Sequence, residues 1–522
     1  MREEGSKETT DEKKQRRRRR PIQDVHYDSL YRPLNAKTGD DGNWESANPV
    51  NMTTGLWYDP DPYPNSADWS DLIPTFLRHG YESALGLKET SNNPLLLVER
   101  SYNPPPLRQQ LLEIIMEECD VPATFFGKDA TLACYACGRT TSTVIDIGYS
   151  GTTVTPVYEG YVEQKGIRRS PIGSKAMDEL ALEHLVKVLS TSESSSNNEL
   201  IPVYQVRHPK AANKRHDAFH RLAMLDIAKD CRETGAGQSI NTAASKSLQV
   251  PSMSFSLPDG QTVDIPSITR FAVADLCVGT TSSADEDANQ KQASNNPREE
   301  AFSQLQNDYN SIVLAASAEE NDQDMMDDDE DDDAEDDDMD IDRKKEQANK
   351  YTEASVVGVS SRRSTRGSSK KTDAKKETST KAKVKFHNQI LNRACASYLQ
   401  TQLEQQLTAS PVAGMVCDAA FRCDRDQQAS VLGNVVLCGG GACIGPTDQA
   451  VPDLLREQIE SIIHTHTPGW RVKVLSPSMQ ERSICSWLGG SILGSLGTFH
   501  DMWITKAEYE EWGSAIINRK CP

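Results

Sequence analysis

Between residues 280 and 385 the chain runs through about a hundred positions that cannot build a core, with globular-looking sequence on both sides. A Ser/Asn/Gln/Asp-rich stretch leads into an acidic block, Glu319 to Asp342, with DDDEDDDAEDDDMDID at its heart, and then into SRRSTRGSSKKTDAKKETSTKAK. Low hydrophobicity with segregated charge leaves too little apolar surface to offset the entropy of ordering, so the segment reads as a disordered insertion. Within it, Phe302 to Leu314 reads as a transient helix. Whatever folds must therefore be assembled from two pieces that meet in space across this gap.

Composition sharpens that picture. The formal charge of −20 on 522 residues comes mostly from the acidic block, so the folding remainder is closer to neutral. Even after subtraction the length predicts two lobes or domains. Twelve cysteines, with no apolar signal segment near Met1, read as reduced thiols of a nuclear or cytosolic protein. No run of about 18 apolar residues is present, which predicts no membrane partner or span. The N-terminal KKQRRRRRP, Lys13 to Pro21, cannot pack; it reads as a solvated tail, with nuclear import or nucleic-acid contact as the functional readings.

The globular pieces carry mixed signals. ADWSDLIPTFLRHGYESALGL has a helical pattern, Leu95 to Val98 a short buried strand, and Pro106 to Glu118 an amphipathic helix. STVIDIGYSGTTVTPVYEGYV, Ser142 to Val162, reads as a β-hairpin whose β-branched arms flank a Gly/Ser turn. Helices follow at Lys175 to Leu189 and His216 to Cys231, and Ser254 to Pro266 forms a second hairpin turning on Pro258, Asp259 and Gly260.

Two features have the form needed to hold a nucleotide. Asp146 ends an apolar strand beside a turn whose backbone N–H groups could cradle phosphates, and a carboxylate there suits a hydrated magnesium ion. In NVVLCGGGACIGP, Asn434 to Pro446, three glycines allow close backbone approach to a flat ligand. Taken alone, each is more often a plain turn than a site. Cys134 and Cys137 form a C-x-x-C on a predicted helix with no second pair at zinc spacing, and read as buried structural thiols. His464 and His466 alternate at a helix end or loop without a third ligand. No nucleophile–base motif supports independent hydrolase chemistry.

Order changes the weight of these pieces. CGRTTSTVIDIGYSGTTVTPVYEGY resembles the second phosphate loop of the actin family, and VVLCGGGACIGPTDQAVPDLLREQI resembles its adenosine loop. LPDGQ, Leu257 to Gln261, is similar to a hairpin of that family, and ERSICSWLGGSILGSLGTFHDMWITKAEYEEWG with NRKCP is similar to its C-terminus. The resemblance runs from about Leu72 to Pro522 apart from the insertion. It implies an α/β chain of the actin/Hsp70/hexokinase-like two-lobe ATPase fold, each lobe a mixed five-stranded sheet with RNase H-like order, and ATP with a divalent cation in the cleft. The expected division is a basic tail at 1–20, a partial first lobe at 21–141, and the second lobe from 142–279 and 386–484 around the insertion at 280–385. Residues 485–522 return to the first lobe.

Carried over by resemblance, Asp146 would hold the metal through water, and the backbone at Gly148, Ser150 and Thr152 would face phosphates. Gly439, Gly440 and Gly441 would line the adenosine side, with Ile444 near the base. The departures point away from catalysis. The family's first phosphate loop has no counterpart, so the fold reads as N-terminally incomplete. Asp129 stands in place of a water-positioning glutamine, Thr153 in place of a histidine, Tyr149 in place of a metal-shell aspartate, and Ser483 in place of a lysine beside the adenine. Positioning and preorganised polarity supply most of the rate in phosphoryl transfer, so the expectation is little or no ATPase activity. Any ATP or ADP with magnesium would be structural, or absent.

GYVEQKGIRRSPIGS and the ending EYEEWG with RKCP look most like the nuclear branch of the actin-related proteins. That implies a structural subunit of chromatin-remodelling or histone acetyltransferase complexes in the nucleus, paired with actin on a helix of a remodeller ATPase subunit. The acidic run would meet histones, and the basic runs DNA; the bland alternative for both is a solvated spacer. Helices around Trp487 to Leu496 and Met502 to Trp512 would wall a partner groove. The alternative is a cytoplasmic, cytoskeletal actin-like protein that binds ATP and forms or regulates filaments.

Overall fold

The sequence before the insertion and the sequence after it meet in one mixed sheet. The computed structural model describes residues 69–87, 92–119, 121–191, 199–207, 217–234, 251–279, 298–304, 306–307, 397–398, 400–401, 405–445 and 447–522. The basic tail, the acidic block and most of the 280–385 segment lie outside the described residues.

The chain first lays down α1 (Trp69–His79), β1 (Leu95–Glu99), α2 (Pro105–Glu117), β2 (Ala123–Lys128) and α3 (Asp129–Ala136). Strands β1 and β2 run parallel, Leu95 opposite Thr124 through Glu99 opposite Lys128. The prolines of NPPPL enter α2 at its first turn, where no intrahelical N–H is needed. The helix then buries Leu107, Leu111, Leu112 and Ile115 completely.

Next come β3 (Ser142–Ile147), β4 (Thr152–Tyr158), β5 (Tyr161–Val162), β6 (Arg168–Ser170), α4 (Ser174–Thr191), α5 (Val203–Arg207) and α6 (Asp217–Thr234). The β7 (Met253–Ser256) and β8 (Thr262–Ile265) hairpin and α7 (Ser267–Val278) complete this part. Both hairpins form where the turn chemistry placed them, and Gly260 takes φ +89 at the tip of the second. Past the insertion lie α8 (Val412–Phe421), α9 (Arg425–Gly433), β9 (Asn434–Cys438), α10 (Ala450–His466), β10 (Lys473–Leu475) and α11 (Met479–Arg482). The chain ends with α12 (Cys485–Gly494), β11 (Ile504–Thr505), α13 (Lys506–Trp512) and α14 (Ile517–Lys520).

Strand order in the larger sheet is β10-β9-β3-β4-β5, with β6 also on β4. Strand β9 lies parallel to β3, Asp146 opposite Cys438, which joins the two pieces of sequence. The smaller sheet has the order β1-β2-β11, the last antiparallel. Among the described residues the larger sheet thus has six strands and the smaller three, where the resemblance implies five in each lobe. The sixth strand exists because β4 changes partner along its outer edge. Thr152–Val154 pair with β6 and Val157–Tyr158 with β5, and Pro156, which has no N–H to offer, sits at the switch.

One core spans the larger sheet and its helices, from Ile145 and Ile147 of β3 to Val416, Val435, Leu455 and Ile459. A second gathers Ile73, Leu97, Leu111, Leu112, Phe126, Phe499, Ile504 and Ile517, so the end of the chain completes the smaller sheet's core. Helix α12 crosses α3 so closely that a Cβ on Gly489 would lie 1.8 Å from the carbonyl oxygen of Leu132.

Part of the segment read as disordered is built into the fold. Residues 298–304 are helical, and Arg298 is buried, donating to the carbonyls of Ser410, Leu276 and Cys277. A composition window sees a polar stretch; it does not see one arginine reaching three carbonyls. Of the helix read at Phe302 to Leu314, residues 302–304 and 306–307 are helical and 308–314 lie outside the described residues.

Candidate functional site

Parallel strands bring their C-terminal ends to the same edge, which is where α/β folds place ligands. Here two such edges face each other. In the smaller sheet, Glu99 ends β1 opposite Lys128 at the end of β2, so Arg100 and Asp129 emerge side by side. In the larger sheet, Asp146 near the end of β3 stands beside Cys438 at the end of β9, followed by Gly439.

The result is an ion cluster that spans both sheets. Arg100 Nη1 donates to Asp146 Oδ2 at 2.6 Å and to Asp129 Oδ2 at 3.2 Å. The other oxygen of Asp129 accepts from the Ser101 N–H (2.9 Å), the Ser101 hydroxyl (2.5 Å) and the Ala130 N–H (2.7 Å). One oxygen of its carboxylate is therefore fully engaged, with the N–H of Ala130 in the first turn of α3 among its donors. Burial works against the charge of Arg100, but Asp146, Tyr102 and Asp129 outweigh it and push its pKa up. Burial, joined by the Asp129 charge, pushes Asp146 above the usual carboxylate range while Arg100 pulls it back.

Behind this cluster sits a drier one. Glu99, whose side chain is fully buried, pairs with Arg108 Nη2 at 2.8 Å and Lys128 Nζ at 2.9 Å, and accepts from Asn103 at 2.9 Å. Burial lowers the pKa of Lys128, and Glu99 opposes that. Arg108 also donates to the carbonyl of Cys521, whose thiol sulfur accepts from the Phe126 N–H at 3.4 Å.

The residues singled out from sequence fall unevenly around this centre. Asp146 is in it. Gly148 lies beside it, but its N–H donates to the Gly151 carbonyl at 2.9 Å, and its own carbonyl accepts from Ser174. Thr152 is buried in β4 between β3 and β6, and its hydroxyl donates to Ile172 at 2.6 Å. Of the three positions expected to face phosphates, Thr152 is thus committed to the sheet, Gly148 to the turn, and Ser150 lies half-buried in that turn. Tyr149 is exposed on its outer side.

The three glycines divide by role. Gly439 has φ +93, and a Cβ there would lie 2.3 Å from the Ile147 carbonyl and 2.4 Å from Asp146 Oδ1. Gly441 packs on the Ile147 side chain, while Gly440 faces outward near Ser483. Ile444, expected near the base, is 2% exposed and belongs to the large core. Residues that follow a glycine turn re-enter the core as readily as they face a ligand.

Two arginines that do most of the organising were not legible as site residues. Arg100 follows a buried strand, and only the parallel register places it against Asp129. Arg482 is fully buried behind the glycine turn; it donates to the carbonyls of Ala442, Asp448 and Pro477 and to Ser476, while its own carbonyl accepts from the Gly439 N–H.

A cavity of about 10 Å³ remains at the cluster, lined by Asp129, Asp146, Thr153, Thr155, Cys438 and Ser486. That is at the margin of what one water requires. Thr153 lies against it together with the carboxylates of Asp129 and Asp146.

Elsewhere, Cys134 is buried and 2.8 Å from the Ser142 hydroxyl, whereas Cys137 is half-buried at the end of α3. His464 meets the Trp470 carbonyl at 3.2 Å and His466 stacks edge-on to Phe421, both at the end of α10. Trp487, Ile492, Leu496, Met502 and Trp512 are exposed on the C-terminal segment. No described helix is long and apolar enough to cross a membrane.

The family model for actin matches residues 67–325 and 367–522 of the chain. Among curated proteins the chain is 27% identical to the actin-related protein 4 of Oryza sativa subsp. indica over 463 residues, covering 87% of this chain and 76% of that one. It is 26% identical to the actin-related protein 4 of Arabidopsis thaliana over 465 residues, 87% and 77% of the two chains. With that of Schizosaccharomyces pombe it shares 24% identity over 467 residues, 86% and 82%.

Proposed function

The chain belongs to the actin family, and on that premise we propose that it works as a structural, non-catalytic actin-related subunit of nuclear chromatin-remodelling or histone acetyltransferase complexes. The observation that carries the non-catalytic part is Asp129. A residue that positions an attacking water must keep a hydrogen-bonding face toward it. The Asp129 carboxylate is held by Ser101, Ala130 and Arg100, which supports a structural role for it.

The nuclear assignment rests on the resemblance of the sequence to nuclear actin-related proteins, and likeness to relatives named actin-related protein 4 supports it. Actin and a helix of the remodeller ATPase subunit are the proposed partners. The exposed apolar residues between Trp487 and Trp512 are the proposed docking wall, since an amphipathic helix buries its apolar face on such a surface. The acidic run is proposed to meet histones, and the basic runs DNA. ATP or ADP, where bound, would be held for structure. Gly439 to Gly441 would offer the backbone it packs against, and its phosphates would meet Arg100.

Purification of the tagged full chain from nuclei tests the assignment: remodeller or acetyltransferase subunits should co-purify with actin. A cortical or microtubule-associated signal, or steady-state phosphate release together with pelleting as filaments, would favour the cytoskeletal alternative and sink this reading.

A further inference from the structure

We propose that Arg100 is a built-in counterion that takes the place of a divalent cation between Asp129 and Asp146, so that the two sheets are clasped without metal.

The donor set does not fit a resident metal ion. A magnesium ion demands near-ideal octahedral oxygen geometry at roughly 2.0–2.1 Å and usually keeps several waters. Asp146 Oδ2 is engaged by the guanidinium at 2.6 Å, and Asp146 Oδ1 is walled by Gly439, where even a Cβ would approach to 2.4 Å. Asp129 has one oxygen saturated by Ser101 and Ala130 and the other facing Arg100. The cavity beside them accommodates about one water rather than a hydration shell. Among the described residues, no group of three or more His, Cys, Asp or Glu side chains is arranged to hold a metal.

Two carboxylates converging on one point repel unless a cation lies between them. The guanidinium supplies that cation permanently, and it is held from both sheets. Its Nη2 reaches the Gly148 turn, 3.5 Å from where a Cβ on that glycine would sit. A divalent ion entering the same space would meet a fixed positive charge within contact distance. An arginine, unlike an ion, cannot exchange with solvent, and its flat fork suits carboxylate geometry.

The test is thermal unfolding of the full chain in EDTA, in millimolar magnesium chloride and in millimolar calcium chloride, with isothermal titration of calcium as a second readout. The wild type should unfold at the same temperature in all three and take up no calcium at a saturable site. Arg100→Ala, and Arg100→Gln as the gentler variant, should unfold earlier in EDTA and recover saturably with calcium. Adding Asp146→Asn to either should abolish that recovery. Saturable calcium stabilisation of the wild type equal to that of the variants would overturn the proposal, as would a folded Arg100→Gln that ignores calcium. Neither result depends on which complex the protein joins, so this inference and the functional one fail separately.

Discussion

Replacing Gly489 with alanine adds one methyl group at the tightest crossing in the molecule. The new Cβ would lie 1.8 Å from the Leu132 carbonyl oxygen, 2.5 Å from its carbon and 3.0 Å from its Cα, all backbone atoms that cannot rotate away. Ordinary contact begins near 3.4 Å, so α12 must move off α3 by more than 1 Å. Over-packing a well-filled site costs about 1–3 kcal/mol, and a backbone clash belongs at or above the upper end. At about 3 kcal/mol the unfolding midpoint of a fold this large should fall by ~3–5 °C. The shift should also loosen the ion cluster, because the Ser486 hydroxyl on α12 donates to the Asp129 carbonyl at 3.1 Å. Scanning calorimetry reads the midpoint, and limited proteolysis reads local opening near α12. Gly433→Ala is the control, since nothing lies within 4 Å of its would-be Cβ. If Gly489→Ala and Gly433→Ala melt together with the wild type, the close crossing of α3 and α12 is wrong.

Three further outcomes follow from the geometry. Arg482→Met leaves the Ala442 and Asp448 carbonyls without their buried donor and should cost about 3 kcal/mol, with protease cutting inside 439–445; an unchanged midpoint would remove Arg482 as the brace of the glycine turn. Glu508 is pushed down to about 2 from an ordinary 4.5 by the Lys520 ammonium, then by Thr505. A depressed carboxyl stabilises above its unfolded value and stops doing so as pH falls through the folded one. Glu508→Gln should therefore melt below wild type at pH 6, with the gap closing between about 4.5 and 2; a pH-independent gap would contradict the ion pair. Burial pushes Cys231, Cys277 and Cys417 up to about 12 and Cys119 and Cys423 to about 11. At pH 8 their thiolate fraction is on the order of 10⁻³ or less, so a disulfide reagent should label them only after unfolding in guanidinium. Rapid native labelling at these positions, mapped by mass spectrometry, would refute their burial.

What could be read in advance was local. The β3–β4 hairpin follows from β-branched arms around a Gly/Ser turn, and the second hairpin from Pro-Asp-Gly, because each depends on residues a few positions apart. Asp146 was singled out as a carboxylate at a strand end beside such a turn, and the structure places it in the ion cluster, paired with Arg100. Its partner was not, because Arg100 is 46 positions away and meets it only through the pairing of strands in both sheets. The surroundings of Thr152 and Ile444 were hidden for a similar reason. Position in a motif does not show that β4 is covered on both faces or that the chain re-enters the core after the glycine turn, and both residues are buried. Arg298 shows the same limit in a polar stretch: composition averages over a window, and a single buried anchor does not change an average.

The clasp between Arg108 and Cys521 has a consequence in time. These residues are 413 positions apart, and Cys521 also meets the backbone of β2, while β11 adds that sheet's third strand. At translation rates of about 5–20 residues per second, Cys521 leaves the ribosome roughly 20–80 s after Arg108. During that interval Leu111, Leu112 and Phe126 are without Phe499, Ile504 and Ile517, the neighbours that cover them in the finished core. Nascent chains of this protein should therefore be long-lived clients of the chaperones that shield apolar surface during synthesis. The smaller sheet can close only when its last strand arrives.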